Sequence, residues 1–122
     1  MHDSPKRAVR CVRLATEDAP ALSSLESRCF ALPWTEQAFA EAFAGKTFHA
    51  FGIRETASPL SPRELAGYIA VYHTPDEVEI LNIAVREDRR RHGYGRLLMA
   101  TALQDAKETG ILQGVLEVRI SN

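Results

Sequence analysis

The chain has 122 residues, with 15 Lys and Arg against 16 Asp and Glu, so its formal net charge is −1. A composition 45% hydrophobic and 25% charged fits one ordinary globular domain with a single core. Near-neutral charge excludes a general nucleic-acid coat. No apolar run approaches the roughly 20 residues of a membrane-spanning helix.

The first ten residues, MHDSPKRAVR, lack the apolar stretch of a secretory signal. Residues 1–7 are expected to be a flexible tail, and residues 8–122 one domain. Cys11 and Cys29 form no C-x-x-C pair, and the four histidines form no ligand pair. Free thiols in a reducing cytoplasm, with no metal, are therefore expected.

Ala8 to Leu14 reads as a first strand. Thr16 to Pro20 opens a helix, with Thr16 as its expected cap and Leu22, Leu25 and Cys29 as its apolar stripe. Pro33 disfavours helix at Leu32. Thr35 caps a second helix, which runs to about Ala44 and stops at Gly45. Trp34 before the cap and Phe39 four residues after it have the spacing of a hydrophobic staple. Strands are expected over Thr47–Arg54, Leu65–Tyr72 and Glu77–Val85, with Thr56–Pro62 as a hairpin loop. Gly93 to Glu108 reads as a helix ended by Gly110, and Val115 to Ile120 as a last strand. The expected order is β-α-α-β-β-β-α-β, a mixed α/β fold.

The join between the third helix and the strand before it carries the chemistry. Asn82-Ile83-Ala84-Val85 runs into Arg86-Glu87-Asp88-Arg89-Arg90-Arg91-His92-Gly93-Tyr94-Gly95-Arg96. Two close glycines let the backbone turn tightly and approach a ligand. The free N–H groups of a helix start favour an anion. Five arginines (Arg86, Arg89, Arg90, Arg91, Arg96) surround this point, so a phosphate-bearing ligand is expected. A Walker A loop is excluded because its lysine is missing, and a dinucleotide loop because Leu98 stands where the third glycine belongs.

The pattern R-x-x-G-x-G, made by Arg90, Gly93 and Gly95, resembles the pyrophosphate loop of the GCN5-related N-acetyltransferases (GNAT). Glu77 to Val85, Leu116 to Asn122 and Phe30-Ala31-Leu32-Pro33-Trp34-Thr35-Glu36 resemble its RimI-like, ribosomal-protein-alanine N-acetyltransferase branch. The match covers the chain from about residue 9. It implies a mixed sheet splayed between its fourth and fifth strands, with acetyl-CoA in the opening and no metal.

The resemblance further implies a set of roles. Ile83, Ala84 and Val85 would offer main-chain groups to the cofactor arm. Arg90, Arg91, His92, Gly93, Tyr94, Gly95 and Arg96 would wrap the pyrophosphate. Asn122 would contact the cofactor, and Pro33 and Trp34 would shape the acceptor groove. Glu117 would be the general base, against the alternative of a Glu117–Arg119 surface pair. Glu77 and Glu79 could attract an acceptor ammonium or simply end a solvated strand. The expected reaction moves an acetyl group to a protein N-terminal α-amine, as in a ribosomal protein, in the cytoplasm.

The resemblance also implies a further helix and two strands beyond Asn122, carrying a tyrosine acid. On that expectation the last strand exposes an edge that a second copy could cover, giving a homodimer. Three alternatives stand beside this reading. One is a cofactor-binding module impaired in turnover, one a GNAT enzyme acting on another amine, and one an unrelated nucleotide-binding α/β module.

Overall fold

The computed structural model describes residues 8–56, 58–61 and 63–110, and the backbone of 113–115 and 119–120. The strands are β1 (Ala8–Arg13), β2 (Phe48–Thr56), β3 (Gly67–His73), β4 (Glu77–Val85), β5 (Gln113–Val115) and β6 (Arg119–Ile120). The helices are α1 (Ala19–Cys29), α2 (Glu36–Ala44) and α3 (Tyr94–Glu108). The expected order is present, with the last expected strand appearing as the two short pieces β5 and β6. No helix among the described residues is long and apolar enough to cross a membrane.

β1 to β4 form an antiparallel meander, and β5 and β6 both pair with β4 in parallel. Glu79 pairs with Val115, but Asn82 pairs with Arg119, so the parallel ladder shifts by one residue between the two pieces. A bulge lies opposite this shift. Ala70 faces Asn82 while Val71 faces Ile80, which leaves Leu81 as the extra residue on β4. A bulge reverses which side chains face which side of a sheet. Val78 and Ile80 therefore join the core beneath α3, whereas Ala84 joins the core beneath α1 and α2.

Those two cores define the layers. Phe51, Ile53, Ile69 and Val71 meet Leu98, Ala102 and Ala106 of α3 on one face. Ala50, Tyr68 and Ala70 meet Leu22 and Leu25 of α1 and Phe39 of α2 on the other. The alternation of odd and even positions along β2 and β3 assigns the faces. Each such fully buried Leu, Ile, Val or Phe side chain contributes about 1.5–3 kcal/mol.

The expected cap of α2 is present, with Thr35 Oγ1 accepting from Ala38 N–H at 3.0 Å. The staple is too, the Trp34 and Phe39 ring centroids lying 5.3 Å apart. The start of α1 differs from expectation. A 3-10 turn, Thr16–Asp18, precedes it, and Asp18 rather than Thr16 supplies the side chain, accepting from Ala15 N–H at 2.9 Å. Pro20 falls in the first turn of α1, where its missing N–H costs nothing.

Candidate active site

β4 ends at Val85 and the chain reaches α3 through a 3-10 turn, Glu87–Arg89, and a tight loop. Gly93 caps α3 in the left-handed region, at φ 78°. Its C=O accepts the first helical bond, from Leu97 N–H at 3.1 Å. The N–H groups of Gly95 and Arg96 precede that bond, in the first turn, where a helix supplies no carbonyl four residues back. Nothing lies within 4 Å of where a Cβ on Gly93 or Gly95 would sit. The helix start therefore opens onto free space, and its dipole favours an anion there.

Arg91 also has a positive φ, 67°, unusual for a residue with a side chain. Arg91, His92 and Arg96 are exposed at this mouth. Arg90 is half-buried, and its Nε donates to the Val85 carbonyl at 3.2 Å, which ties the loop to the end of β4. Cys29 Sγ reaches the same carbonyl at 3.7 Å. His92 Nδ1 lies 2.9 Å from the Arg90 carbonyl, bracing the turn from within.

Two of the five arginines expected around an anion do something else. Arg89 is buried, and its Nε donates to both oxygens of Glu55, at 3.0 and 2.9 Å. Glu55 also accepts from Ser58 Oγ at 2.6 Å and from the Tyr94 hydroxyl. Burial alone would raise the Glu55 pKa, but the bonds from Ser58, Tyr94 and Arg89 outweigh it, and the pKa is lowered. Arg86 is held by Asp88 at 3.0 Å and Glu64 at 3.3 Å. Its hydrogen bond to Asp88 lowers the Asp88 pKa to about 2. The Tyr94 ring thus faces the core, and only its main chain borders the open mouth.

The second half of the site lies on the face of α1 and α2. Pro33, Trp34, Thr35, Ala38, Glu41 and Tyr72 line a shallow cavity of about 510 Å³. Trp34 stacks near Phe48, with centroids 6.3 Å apart, and Phe48 meets the Tyr72 ring edge-on at 5.8 Å. Glu79 sits directly across from Tyr72 on β4, half-buried, while Glu77 is exposed.

A matching model for the acetyltransferase (GNAT) family spans residues 19–122. The chain belongs to the GNAT acetyltransferase family. It is 32% identical over 109 residues to the [ribosomal protein bS18]-alanine N-acetyltransferase of Salmonella typhimurium, covering 89% of this chain and 69% of that relative. The crystal structure of the ribosomal-protein-S18-alanine N-acetyltransferase from Escherichia coli superposes with a TM-score of 0.78 at 29% identity. That match covers 92% of this chain and 68% of the other. The PaiA N-acetyltransferase from Thermoplasma acidophilum, solved in complex with coenzyme A, shares the fold with a TM-score of 0.74 at 14% identity, over 89% of this chain and 78% of that one. This GNAT protein is therefore an acetyltransferase with the mixed α/β fold that the resemblance implied, although the expected splay is not seen up to Ile83, because β4 pairs with β5 at Glu77–Glu79 and with β6 at Asn82 and Ile83.

Ile83 and Val85 are half-buried on the α3 side of β4, and Ala84 is buried on the other. They run directly into the loop of Arg90, Arg91, His92, Gly93, Tyr94, Gly95 and Arg96. Pro33 and Trp34 line the cavity near the other end of the strand. Glu117 and Asn122 lie outside the described residues. Sequence reasoning missed Glu55 and Glu26. Both had a signal, a carboxylate at an apolar position of the periodic pattern. Glu55 follows Phe51 and Ile53 at alternate positions of β2, and Glu26 is four residues after Leu22 on α1.

Proposed function

We propose that this GNAT acetyltransferase moves the acetyl group of acetyl-CoA to the N-terminal α-amine of a protein, an alanine of a ribosomal protein being the favoured acceptor. The observation that carries the cofactor half is the start of α3, where a left-handed Gly93 and a second glycine, Gly95, leave open space around the first turn of the helix. Arg90, Arg91 and Arg96 supply cations beside it. The residues present fit a pyrophosphate. The acceptor half rests on the similarity to the Salmonella relative and on the cavity beside Trp34.

An α-amine has a pKa of about 7.7–8, so near neutral pH most of it is ammonium and cannot attack a thioester. Glu117 is the proposed base that takes this proton. The main chain of Ile83, Ala84 and Val85 is proposed to orient the acetyl-bearing arm along β4. The amine nitrogen then bonds to the acetyl carbon, the carbon–sulfur bond breaks, and the thiolate leaves with a proton. The hydroxyls of Tyr68 and Tyr94 are each bonded to a buried glutamate, so neither is assigned as the acid. A cytoplasmic location accords with such a partner.

The test is calorimetric titration of acetyl-CoA into the wild-type chain and a Gly93→Glu variant, followed by mass spectrometry of an alanine-initiated peptide. Binding that the variant loses, with one acetyl group gained by the peptide amine, is the expected result. Undiminished binding in Gly93→Glu overturns the loop assignment. Binding without transfer overturns the catalytic half.

A further inference from the structure

Trp34 has both of its main-chain polar groups taken by one helix. Its N–H donates to Glu26 Oε1 at 3.2 Å, and its C=O accepts from Ser23 Oγ at 3.3 Å. Ser23 and Glu26 are three residues apart on α1 and so share a face. Trp34 lies outside regular secondary structure, in the stretch between α1 and α2. A segment of this kind ordinarily has the freedom to shift by ångströms, yet here one residue is held from both sides.

The far side of Glu26 reaches the sheet. The carboxylate is fully buried, and its Oε2 accepts from the Tyr68 hydroxyl on β3. Asn82 Nδ2 on β4 donates to that hydroxyl at 3.0 Å and approaches Glu26 Oε1 at 3.5 Å. Asn82 faces this way because of the bulge at Leu81, and the next three residues are Ile83, Ala84 and Val85. A short chain of bonds thus joins the Pro33–Trp34 wall to the strand that leads into the anion loop.

We propose that Glu26 is a positioning residue for the acceptor, fixing the Trp34 wall at a set distance from β4. This rests on the proposed transfer to a peptide amine, because the wall has an acceptor to place only in that reaction. The direction of the bonds requires a carboxylate. With glutamine at position 26, its oxygen can serve Trp34 N–H only if its NH2 turns to Tyr68. The phenol then faces two donors and loses the carboxylate oxygen that accepts its proton. A slack wall holds the acceptor less tightly before and during the reaction alike, which raises its KM and leaves kcat in place.

The experiment exploits Trp34 as the single tryptophan of the chain. Steady-state kinetics of the wild type, Glu26→Gln and Ser23→Ala are paired with acrylamide quenching of Trp34 fluorescence, and circular dichroism checks the fold. Glu26→Gln is expected to raise the KM for the acceptor peptide ~10-fold, with kcat and the KM for acetyl-CoA within ~2-fold. Trp34 quenching should rise alongside. Ser23→Ala should move both readouts the same way by ~2-fold, and it carries the test if Glu26→Gln does not fold. A fall in kcat at unchanged acceptor KM overturns the proposal. So does unchanged Trp34 quenching in both variants. A wild-type chain that transfers no acetyl group sinks the proposed function instead, and the quenching result still decides the clasp.

Discussion

Glu26 and Glu55 serve opposite faces of the same sheet, and each ties a loop to it with a buried carboxylate. They do it with different partners. Glu55 meets the guanidinium of Arg89 together with the hydroxyls of Ser58 and Tyr94. Glu26 meets the main chain of Trp34, the phenol of Tyr68 and the amide of Asn82. The first arrangement takes one cation, Arg89, out of the basic run before α3 and turns it into an anchor. The second takes hold of backbone, so it controls where a wall stands rather than what charge it shows. On the proposed function, a loop for a charged cofactor and a wall for a peptide call for different kinds of support.

The comparison breaks first at Glu55. Glu55→Ala takes from the buried Arg89 guanidinium the nearer of its two carboxylates, Asp88 remaining at 3.6 Å, and removes an acceptor from two hydroxyls. A loss of about 3 kcal/mol in chemical denaturation is expected, because breaking a buried ion pair from one side is costly. A smaller loss is expected for Glu55→Gln, which keeps one acceptor. A cost under ~1 kcal/mol for the alanine would mean that Arg89 finds water instead, as a surface pair does. Glu26→Ala comes next. It deprives the Trp34 N–H and the Tyr68 hydroxyl of their acceptor, for about 1–3 kcal/mol by the same measurement.

Gly93 sharpens the contrast from the loop's own side. Its φ of 78° suits glycine, and an added Cβ meets no neighbour. Gly93→Ala should therefore cost only the left-handed backbone penalty, about 1–2 kcal/mol, without any clash. Acetyl-CoA affinity measured by calorimetry separates strain from obstruction. Alanine should weaken binding modestly, whereas the Gly93→Glu variant abolishes it through bulk and negative charge.

Much of this was legible in the sequence, for identifiable reasons. The order of elements follows from local signals, and Thr35, Gly110 and the Trp34–Phe39 staple act within a few residues of one another. The tight glycine turn into α3 was legible because its glycines, arginines and helix start are contiguous. The buried anchors were not read, because their partners are distant in the chain. Glu55 and Tyr94 are 39 residues apart, and Glu26 and Asn82 are 56 apart. Arg89 illustrates the limit. By local reading it is one more cation in a basic run, and only the end of β2 makes it part of the core. The bulge at Leu81 was equally hidden, since β4 alone reads as an unbroken strand. The expected Thr16 cap was displaced because Thr16 lies inside a 3-10 turn, whose start is held by Asp18 reaching back to the Ala15 N–H.

The smallest expected effect concerns a third cluster, on the α3 face away from both carboxylates. The His49 and His73 rings lie 4.1 Å apart, and Arg13 donates to His49 Nδ1 at 3.1 Å. Arg13 also pairs with Asp105 of α3. Burial lowers the pKa of both histidines, His73 and Arg13 lower that of His49 further, and Asp105 opposes the shift. A histidine whose pKa is lower when folded binds fewer protons folded than unfolded, so stability rises with pH across that interval. The contribution is complete above the unfolded value near 6.5 and declines as pH falls below it. Glu55 works in a separate window. Its lowered carboxylate pKa contributes stability above the ordinary glutamate range, and this is lost only at more acidic pH. Denaturant midpoints from pH 7.5 to 5 should therefore fall in the wild type and fall less in a His49→Gln, His73→Gln variant. Equal slopes would assign the acid sensitivity of this range to other groups, and flat midpoints down to pH 5 would leave any acid sensitivity to the carboxylates.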